Sequence, residues 1–333
     1  MRQVEKSFYM TLNDCFGIKG TLKQKVYCVN TYMFSKLWYT AQVVKMDKKK
    51  VDGMIKASMN FIYAGENERP VRPLNFRPKH LGGLGLVEAS IKANALLIKS
   101  MISQRKEQEF TNMYGYEEKL SRWLDLSEEG IPVKEMYSEM IKEVYEKNGS
   151  VIPSRNEKKI RNIKWSNMWR NLEILRGLSP AEVEFAWKLS QDMLPIGRRI
   201  HRANVDKECK NELDETVCRA IPDIYHTFVD CKSIKEDFEK FKVILQEILG
   251  SDVDDNGIVT LSLTHRSIRR RKMALWFIIK VLYGIYNKAD LKSVLGGIIE
   301  DIHWLLKSQI AIGSFQEMVR AKDIVSKDRD GIG

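Results

Sequence analysis

Apolar residues recur every three or four positions along much of the chain, which is the spacing of an amphipathic α-helix. Within residues 22–46, for example, Val26, Val29, Met33 and Leu37 fall on one stripe. The same period is found in residues 51–62, 88–109, 232–249, 266–287 and 290–311. Strict alternation of apolar and polar residues, which marks a half-buried strand, is nowhere convincing. The pattern therefore predicts a mostly α protein.

Two stretches interrupt the helical pattern. Residues 65–85 hold three prolines, which lack a backbone donor, and several glycines, which permit positive φ, so a structured loop or short hairpin is predicted. Residues 203–231 lack periodicity and contain three of the five cysteines. Between these stretches, Ser179, Pro180 and Glu182 have the spacing of a helix start, in which Ser179 is the N-cap and Glu182 completes a capping box.

Charge is distributed unevenly along the 333 residues, whose formal net charge is +11. Residues 1–106 carry 19 Lys and Arg against 7 Asp and Glu, a net charge of +12, so the remainder is nearly neutral. A basic segment with interleaved aromatic residues favours RNA or DNA as the partner. A solvated helix surface that keeps the protein in solution explains the same charge and stays an alternative.

The composition also bears on the compartment. No run of about 18 apolar residues is present, and the first residues form no apolar signal stretch. Five cysteines, an odd number, do not make a secreted disulfide framework. We therefore expect a soluble intracellular protein, nuclear or cytoplasmic, with no membrane partner.

Basic residues near aromatic residues are the candidate nucleic-acid contacts, because cationic side chains bind phosphates and aromatic rings stack on unpaired bases. They lie on the first long helix, in the proline–glycine loop and after Pro195: Lys23, Lys25, Lys36, Arg69, Arg72, Arg77, Lys79, Arg198, Arg199 and Arg202. Trp38 and Tyr39 accompany Lys36, and for these two rings a place in the core is favoured over a stacking role.

Cys209, Cys218, His226 and Cys231 lie within 23 residues, in the order Cys-x8-Cys-x7-His-x4-Cys. Thiolate and imidazole are the ligands that tetrahedral zinc prefers, and four of them close a structural site. Strong zinc patterns usually include a tight Cys-x2-Cys pair, which is missing here. Three unrelated thiols and one histidine therefore remain the alternative. No grouping of His, Ser, Cys or carboxylates forms a convincing catalytic site.

Several blocks resemble the region that follows the polymerase core in non-LTR (LINE-type) retrotransposon reverse transcriptases. In the first half they are residues 22–26 (LKQKV), 30–32 (NTY), 35–42 (SKLWYTAQ), 61–63 (FIY), 69–72 (RPVR), Leu74 and 81–86 (LGGLGL). In the second half they are Trp169, 178–180 (LSP), 187–189 (WKL), 194–202 (LPIGRRIHR) and 226–231 (HTFVDC). Their order and spacing agree with the family over roughly residues 22–310.

The resemblance implies a helical thumb/connector region, then a small Cys/His zinc-binding region and a helical tail. The corresponding segments are residues 1–110 (basic, thumb-like, with the proline–glycine loop), 111–195 (helical linker), 196–250 (zinc-binding) and 251–333 (C-terminal helices). The resemblance also implies that structural zinc is held by four ligands: Cys209, Cys218, His226 and Cys231. The family's site opens with Cys-x2-Cys, whereas Glu212 stands three residues after Cys209, so Cys218 has to replace the missing ligand or the site is degenerate.

Three functional hypotheses follow. The first is a nucleic-acid-binding C-terminal fragment of a reverse transcriptase, which grips template RNA or target DNA without its own polymerase site. The second is a domesticated or degenerate fragment that acts as a structural or protein-interaction unit and docks a partner through the apolar helices 266–287 and 290–311. The third is part of an active RNA-directed DNA polymerase whose palm, with its metal-binding aspartates, is supplied upstream or in trans.

Overall fold

The computed structural model describes residues 2–64, 69–104, 132–147, 150–151, 165–175, 177–197, 208–209, 212–213, 216–287 and 293–298. The chain divides into two compact units. Unit 1 comprises Met1–Gly65, Val71–Pro78 and Gly83–Ile152, and unit 2 comprises Glu66–Pro70, Lys79–Gly82 and Pro153–Gly333. The functional segments predicted at 1–110, 111–195, 196–250 and 251–333 stay predictions.

Unit 1 is mostly helical. Its helices are α1 (Arg2–Cys15), α2 (Leu22–Cys28), α3 (Ser35–Ala41), α4 (Lys48–Ile62), α5 (Arg72–Phe76), α6 (Ala89–Ser103) and α7 (Val133–Tyr145). A π turn, Val29–Met33, joins α2 to α3. The antiparallel pair β1 (Glu146–Lys147) and β2 (Ser150–Val151) follows α7. The proline–glycine stretch is thus a turn-rich segment around the short α5.

The predicted stripe of the first long helix is confirmed, since Val26, Val29, Met33 and Leu37 are all buried. The helix begins with a capping box, in which Thr21 accepts from the backbone N–H of Gln24 and the Gln24 side chain accepts from Thr21. Such a box satisfies two N–H groups that have no partner within the helix. Sequence and structure therefore agree on where this helix starts and which face it buries.

The Gly-rich block of residues 81–86 is held by backbone hydrogen bonds. Leu84 donates to Leu74, and Leu86 donates to the carbonyl oxygen of Asn75. Asn30, in the π turn, donates through Nδ2 to the Gly85 carbonyl and accepts from the Val87 N–H through Oδ1, both at 2.9 Å. The amide side chain of Asn30 therefore ties the first long helix to this block.

Unit 2 contains a 3₁₀ turn (Lys79–Leu81), α8 (Trp165–Ile174), α9 (Pro180–Ser190), the antiparallel pair β3 (Glu212–Leu213) and β4 (Thr216–Val217), and a second π turn (His226–Asp230). These are followed by α10 (Lys232–Leu249), α11 (Asp255–Val259) and α12 (Ile268–Tyr286). Residues 293–298 are also helical. The predicted capping box at Ser179 and Glu182 is confirmed.

The core of unit 2 is built around α12. Eight of its residues between Ala274 and Leu282 are buried. The rings of Phe241 and Phe277 lie 5.4 Å apart, and Phe185 contacts the rings of Tyr283 and Tyr286. The apolar face of α12 is therefore used inside the unit, and most of the predicted last helix, 290–311, lies outside the described residues.

Candidate metal centre and nucleic-acid interface

A short hairpin positions the first two ligand candidates. Glu212 pairs with Val217 and Leu213 with Thr216 in β3 and β4. The Cys209 N–H donates to the Ala220 carbonyl at 2.9 Å, which continues the same antiparallel register. Cys209 and Cys218 therefore stand on opposite arms of one hairpin, and this pairing brings together two cysteines that are nine residues apart.

The second π turn positions the other two candidates. The Cys231 N–H donates to the His226 carbonyl at 3.0 Å, an i to i+5 hydrogen bond. In a regular α-helix, residues five apart point in different directions, whereas the wider π turn brings them towards one side. The His-x4-Cys spacing is thus matched to the turn that carries it. Asp223 accepts from the His226 N–H at 2.8 Å and helps to begin the turn.

The four ligand atoms lie within 4.8 Å of one another. The Cys209 and Cys231 Sγ atoms are 3.8 Å apart, and Cys218 Sγ lies 3.6 Å from His226 Nε2. Tetrahedral zinc bonds of about 2.3 Å to sulfur and about 2.0–2.1 Å to nitrogen imply separations of about 3.8 Å and about 3.6 Å. Both measured distances therefore fit a shared tetrahedral ion, and the thiols are not joined as disulfides.

The surroundings of the cluster suit thiolate ligands. Cys231 is fully buried and is the N-cap of α10, where the positive end of the helix dipole favours negative charge. Its Sγ lies 3.2 Å from the Ser233 hydroxyl, which is placed to orient the sulfur as an outer-shell partner. The donor set fits a metal ion, and four protein ligands leave no open position for substrate.

The hairpin brings two cysteines together without a Cys-x2-Cys spacing. Glu212 lies in β3, beyond Cys209, and Cys218 follows directly after β4. The first ligand pair therefore spans the hairpin, with one cysteine on each arm. The geometry thus brings Cys218 together with the other three ligand candidates, which favours a shared metal site over unrelated thiols.

The predicted nucleic-acid contacts are placed unequally. Lys36, Arg69, Arg72 and Lys79 are exposed, while Lys23 and Lys25 are half-buried. Arg198, Arg199 and Arg202 lie outside the described residues. Lys36 and Arg72 belong to unit 1, whereas Arg69 and Lys79 belong to unit 2.

Three of the predicted cations are engaged within unit 1. Arg77 is only 7 % exposed, so its guanidinium is not presented at the surface as expected; its chain segment is folded against the Gly-rich block. Arg72 lies 3.6 Å from the Asp52 carboxylate and 3.7 Å from that of Glu88. Lys25 Nζ donates to the Ile62 carbonyl at 3.3 Å. Exposed Lys36 makes no hydrogen bond or ion pair within the described part of the chain.

The expectation that Tyr39 belongs to the core is wrong, because Tyr39 is 82 % exposed. Trp38 is half-buried, and the Lys92 ammonium lies 4.3 Å from the centre of its ring. Burial lowers the pKa of Lys92. Tyr27 on α2 and Tyr32 in the following π turn are also exposed, and sequence reasoning missed both of them as candidate contacts. In a regular α-helix, a spacing of five residues does not place two side chains on one face, so only the π turn reveals that they are neighbours.

Comparisons with protein-family models, with curated proteins and with solved structures find no match to this chain. Within the part that the structure describes, no helix is both long and apolar enough to cross a membrane.

Proposed function

We propose that this chain is a nucleic-acid-binding module whose Cys/His cluster holds a structural zinc ion, similar to the thumb/connector and zinc-binding part of a non-LTR retrotransposon reverse transcriptase. The observation that carries this proposal is the convergence of Cys209, Cys218, His226 and Cys231 within 4.8 Å. The resemblance assigns zinc to these residues, and their distances are those of a tetrahedral zinc site.

Zinc would act as a cross-link in this proposal. It would join the hairpin that carries Cys209 and Cys218 to the π turn and to the start of α10. The described residues of the hairpin form two pairs in β3 and β4, and so short a pairing has little stability of its own. A four-ligand site supplies folding free energy in such a segment. The metal would therefore maintain structure and take no part in catalysis.

The nucleic-acid part of the proposal is supported by charge. The net charge of +12 lies in residues 1–106, and Lys36, Arg69 and Lys79 are exposed cations within them. Cations that neutralise phosphates release counterions, so affinity falls as salt rises, by roughly one power of salt concentration per contact. A grip on the backbone carries no sequence preference and would suit template RNA or target DNA alike.

Filter binding of RNA and DNA between about 50 and 200 mM salt tests this part. The triple variant Lys36→Gln, Arg69→Gln, Lys79→Gln is expected to bind more weakly, and its log–log salt slope is expected to fall by about two to three. The matched control Lys134→Gln, Lys142→Gln, Lys235→Gln removes the same charge outside residues 1–106. Equal effects of the two variants, or wild-type binding that is undetectable at low salt, would contradict the proposal.

Metal analysis of the purified chain tests the zinc site. We expect about one zinc per chain, loss of zinc in Cys231→Ser, and a lower unfolding midpoint in the same variant. Cys28→Ser is the control, because Cys28 lies on α2, outside the cluster. Zinc below about one-tenth per chain in the wild type, or zinc content and stability unaltered by Cys231→Ser, would reject the metal site.

The interaction-unit hypothesis loses part of its basis in the structure. It relied on the apolar helix 266–287 as a free docking face, whereas the corresponding α12 forms the centre of the unit 2 core. We therefore put nucleic-acid binding first.

A further inference from the structure

Three tyrosines are exposed along one continuous helical stretch of unit 1. Tyr27 lies on α2, Tyr32 in the π turn and Tyr39 on α3, and they are 61 %, 52 % and 82 % exposed. Large rings at this degree of exposure are unusual in one stretch, because aromatic side chains are normally mostly buried. The opposite face of the same stretch is packed into the core, so the rings cannot turn inward.

The π turn helps to place the rings on one face. Phe34 donates to the Val29 carbonyl in an i to i+5 bond, and the rings of Tyr27 and Tyr32, five residues apart, meet edge to face with centres 6.5 Å apart. From Tyr32 onward, Lys36 and Tyr39 follow at i+4 and i+7, which is one face of an α-helix. The tyrosine face is defined here as Tyr27, Tyr32, Lys36 and Tyr39.

The tyrosine face lies in a purely basic part of the chain. Residues 16–46 contain five lysines and no aspartate or glutamate. Lys36 is exposed between two of the rings, and within the described residues it has no ion pair. An aromatic surface with unneutralised positive charge complements a ligand that carries both flat rings and negative charge.

We infer that the tyrosine face binds single-stranded nucleic acid, with unpaired bases stacked on Tyr32 and Tyr39 and a phosphate at Lys36. This inference rests on the proposed function and specifies the form of its ligand. Bases have accessible faces only where they are unpaired, so stacking selects single strands over a duplex. Tyr32 and Tyr39 are separated by about 10 Å along the helix axis, and Lys36 lies between them. The three groups can therefore engage successive parts of one strand.

An apolar protein partner is the competing occupant of this face. Such a partner favours aliphatic contacts and gains little from a lysine at the centre of the contact, since charged residues are depleted there. The absence of acidic residues from residues 16–46 also favours a polyanion. We therefore assign the face to a nucleic acid, and a tyrosine-dependent oligomer would indicate a protein contact instead.

The test compares binding of a fluorescent single-stranded oligonucleotide and a duplex of the same sequence. Tyr32→Ala, Tyr39→Ala is expected to weaken single-strand binding by about 5- to 150-fold per lost stack and to leave duplex binding within about twofold. The matched variant Tyr32→Phe, Tyr39→Phe keeps the rings and should bind like wild type. The alanine variant removes no charge, so its salt slope is expected to stay unchanged.

Lys36 is tested separately. Lys36→Gln is expected to lower the salt slope by about one for both ligands, whereas Lys56→Gln, an exposed lysine on α4, should do so less or not at all. Circular dichroism of each variant should show the wild-type melting midpoint, because all these side chains are exposed.

The outcomes separate the two proposals. If the wild type binds neither ligand at low salt, the proposed function fails and this inference fails with it. If the wild type binds but the alanine variant keeps its single-strand affinity within twofold, the inference alone is rejected. Equal losses on single strand and duplex also reject it, as does light scattering that shows a tyrosine-dependent oligomer without nucleic-acid binding.

Discussion

Gly83 lies at a very close approach of two backbone segments in unit 1, so Gly83→Ala is expected to be strongly destabilising. A Cβ at this position would overlap the carbonyl oxygen of Arg77, which is a backbone atom and cannot rotate away. The two segments are also joined by hydrogen bonds from Gly83 to the Pro78 carbonyl, at 3.1 Å, and from Gly85 to the Arg77 carbonyl, at 3.0 Å. Accommodating the methyl group requires the segments to separate.

The magnitude follows from what separation would break. Loss of both hydrogen bonds costs about 1–3 kcal/mol, and displacement of packed backbone adds about 1–3 kcal/mol. Together they lower the free energy of unfolding by about 2–6 kcal/mol. Gly53→Ala is the matched control, since a Cβ there meets only the Tyr9 hydroxyl at 3.7 Å, and alanine inside α4 should stabilise by about 1 kcal/mol.

Urea unfolding followed by circular dichroism measures both variants. Because the chain has two units, the midpoints are compared directly, without assuming one two-state transition. Hydrogen exchange localises the effect, and the amides of Leu84 and Leu86 should exchange at least about tenfold faster in Gly83→Ala. An unfolding midpoint of Gly83→Ala equal to that of wild type would refute the close approach of the two segments as a determinant of stability.

Two further predictions concern buried groups. Lys280→Met is expected to destabilise unit 2 by about 3 kcal/mol, because it leaves the Glu182 carboxylate, 2.8 Å from Lys280 and almost buried, without its cation. Half-buried Lys240 pairs with the exposed Glu236, so Lys240→Met should cost less than about 1 kcal/mol, and equal unfolding midpoints of the two variants would contradict this. Burial raises the pKa of Tyr137 to about 12, above about 10 in an unfolded chain, so stability should fall by roughly 2–3 kcal/mol between pH 10 and pH 12. Tyr137→Phe cannot ionise and should lose less stability over that range in alkaline urea unfolding, whereas equal losses would overturn the assignment.

Local pattern was sufficient for most helices because burial of one face and capping are properties of short segments. The prediction of a helix at 232–249 agrees with α10, Lys232–Leu249, and the helix predicted at 266–287 agrees with α12, Ile268–Tyr286. The capping box at Ser179 and Glu182 was visible for the same reason, since its partners are three residues apart.

The candidate metal site was only partly predictable. His-x4-Cys is a local spacing, and it pointed to two of the four residues that the structure brings together. The pairing of Cys209 with Cys218 depends on the short β3–β4 hairpin, which has no distinct sequence pattern. The distances between the pairs, 3.8 Å and 3.6 Å, could come only from the folded chain.

By itself, the sequence determined the helical class, the basic first third and the four ligand candidates, because periodicity, charge and residue type are written in short stretches. Only the tertiary structure decided which of these residues are exposed at the surface and which of them lie close together. It buried Arg77 and exposed Tyr39, and its two π turns brought Tyr27 to Tyr32 and His226 to Cys231. A residue five positions away becomes a neighbour through a local change in helix winding, and its exposure depends on packing by distant segments; neither can be read from spacing alone.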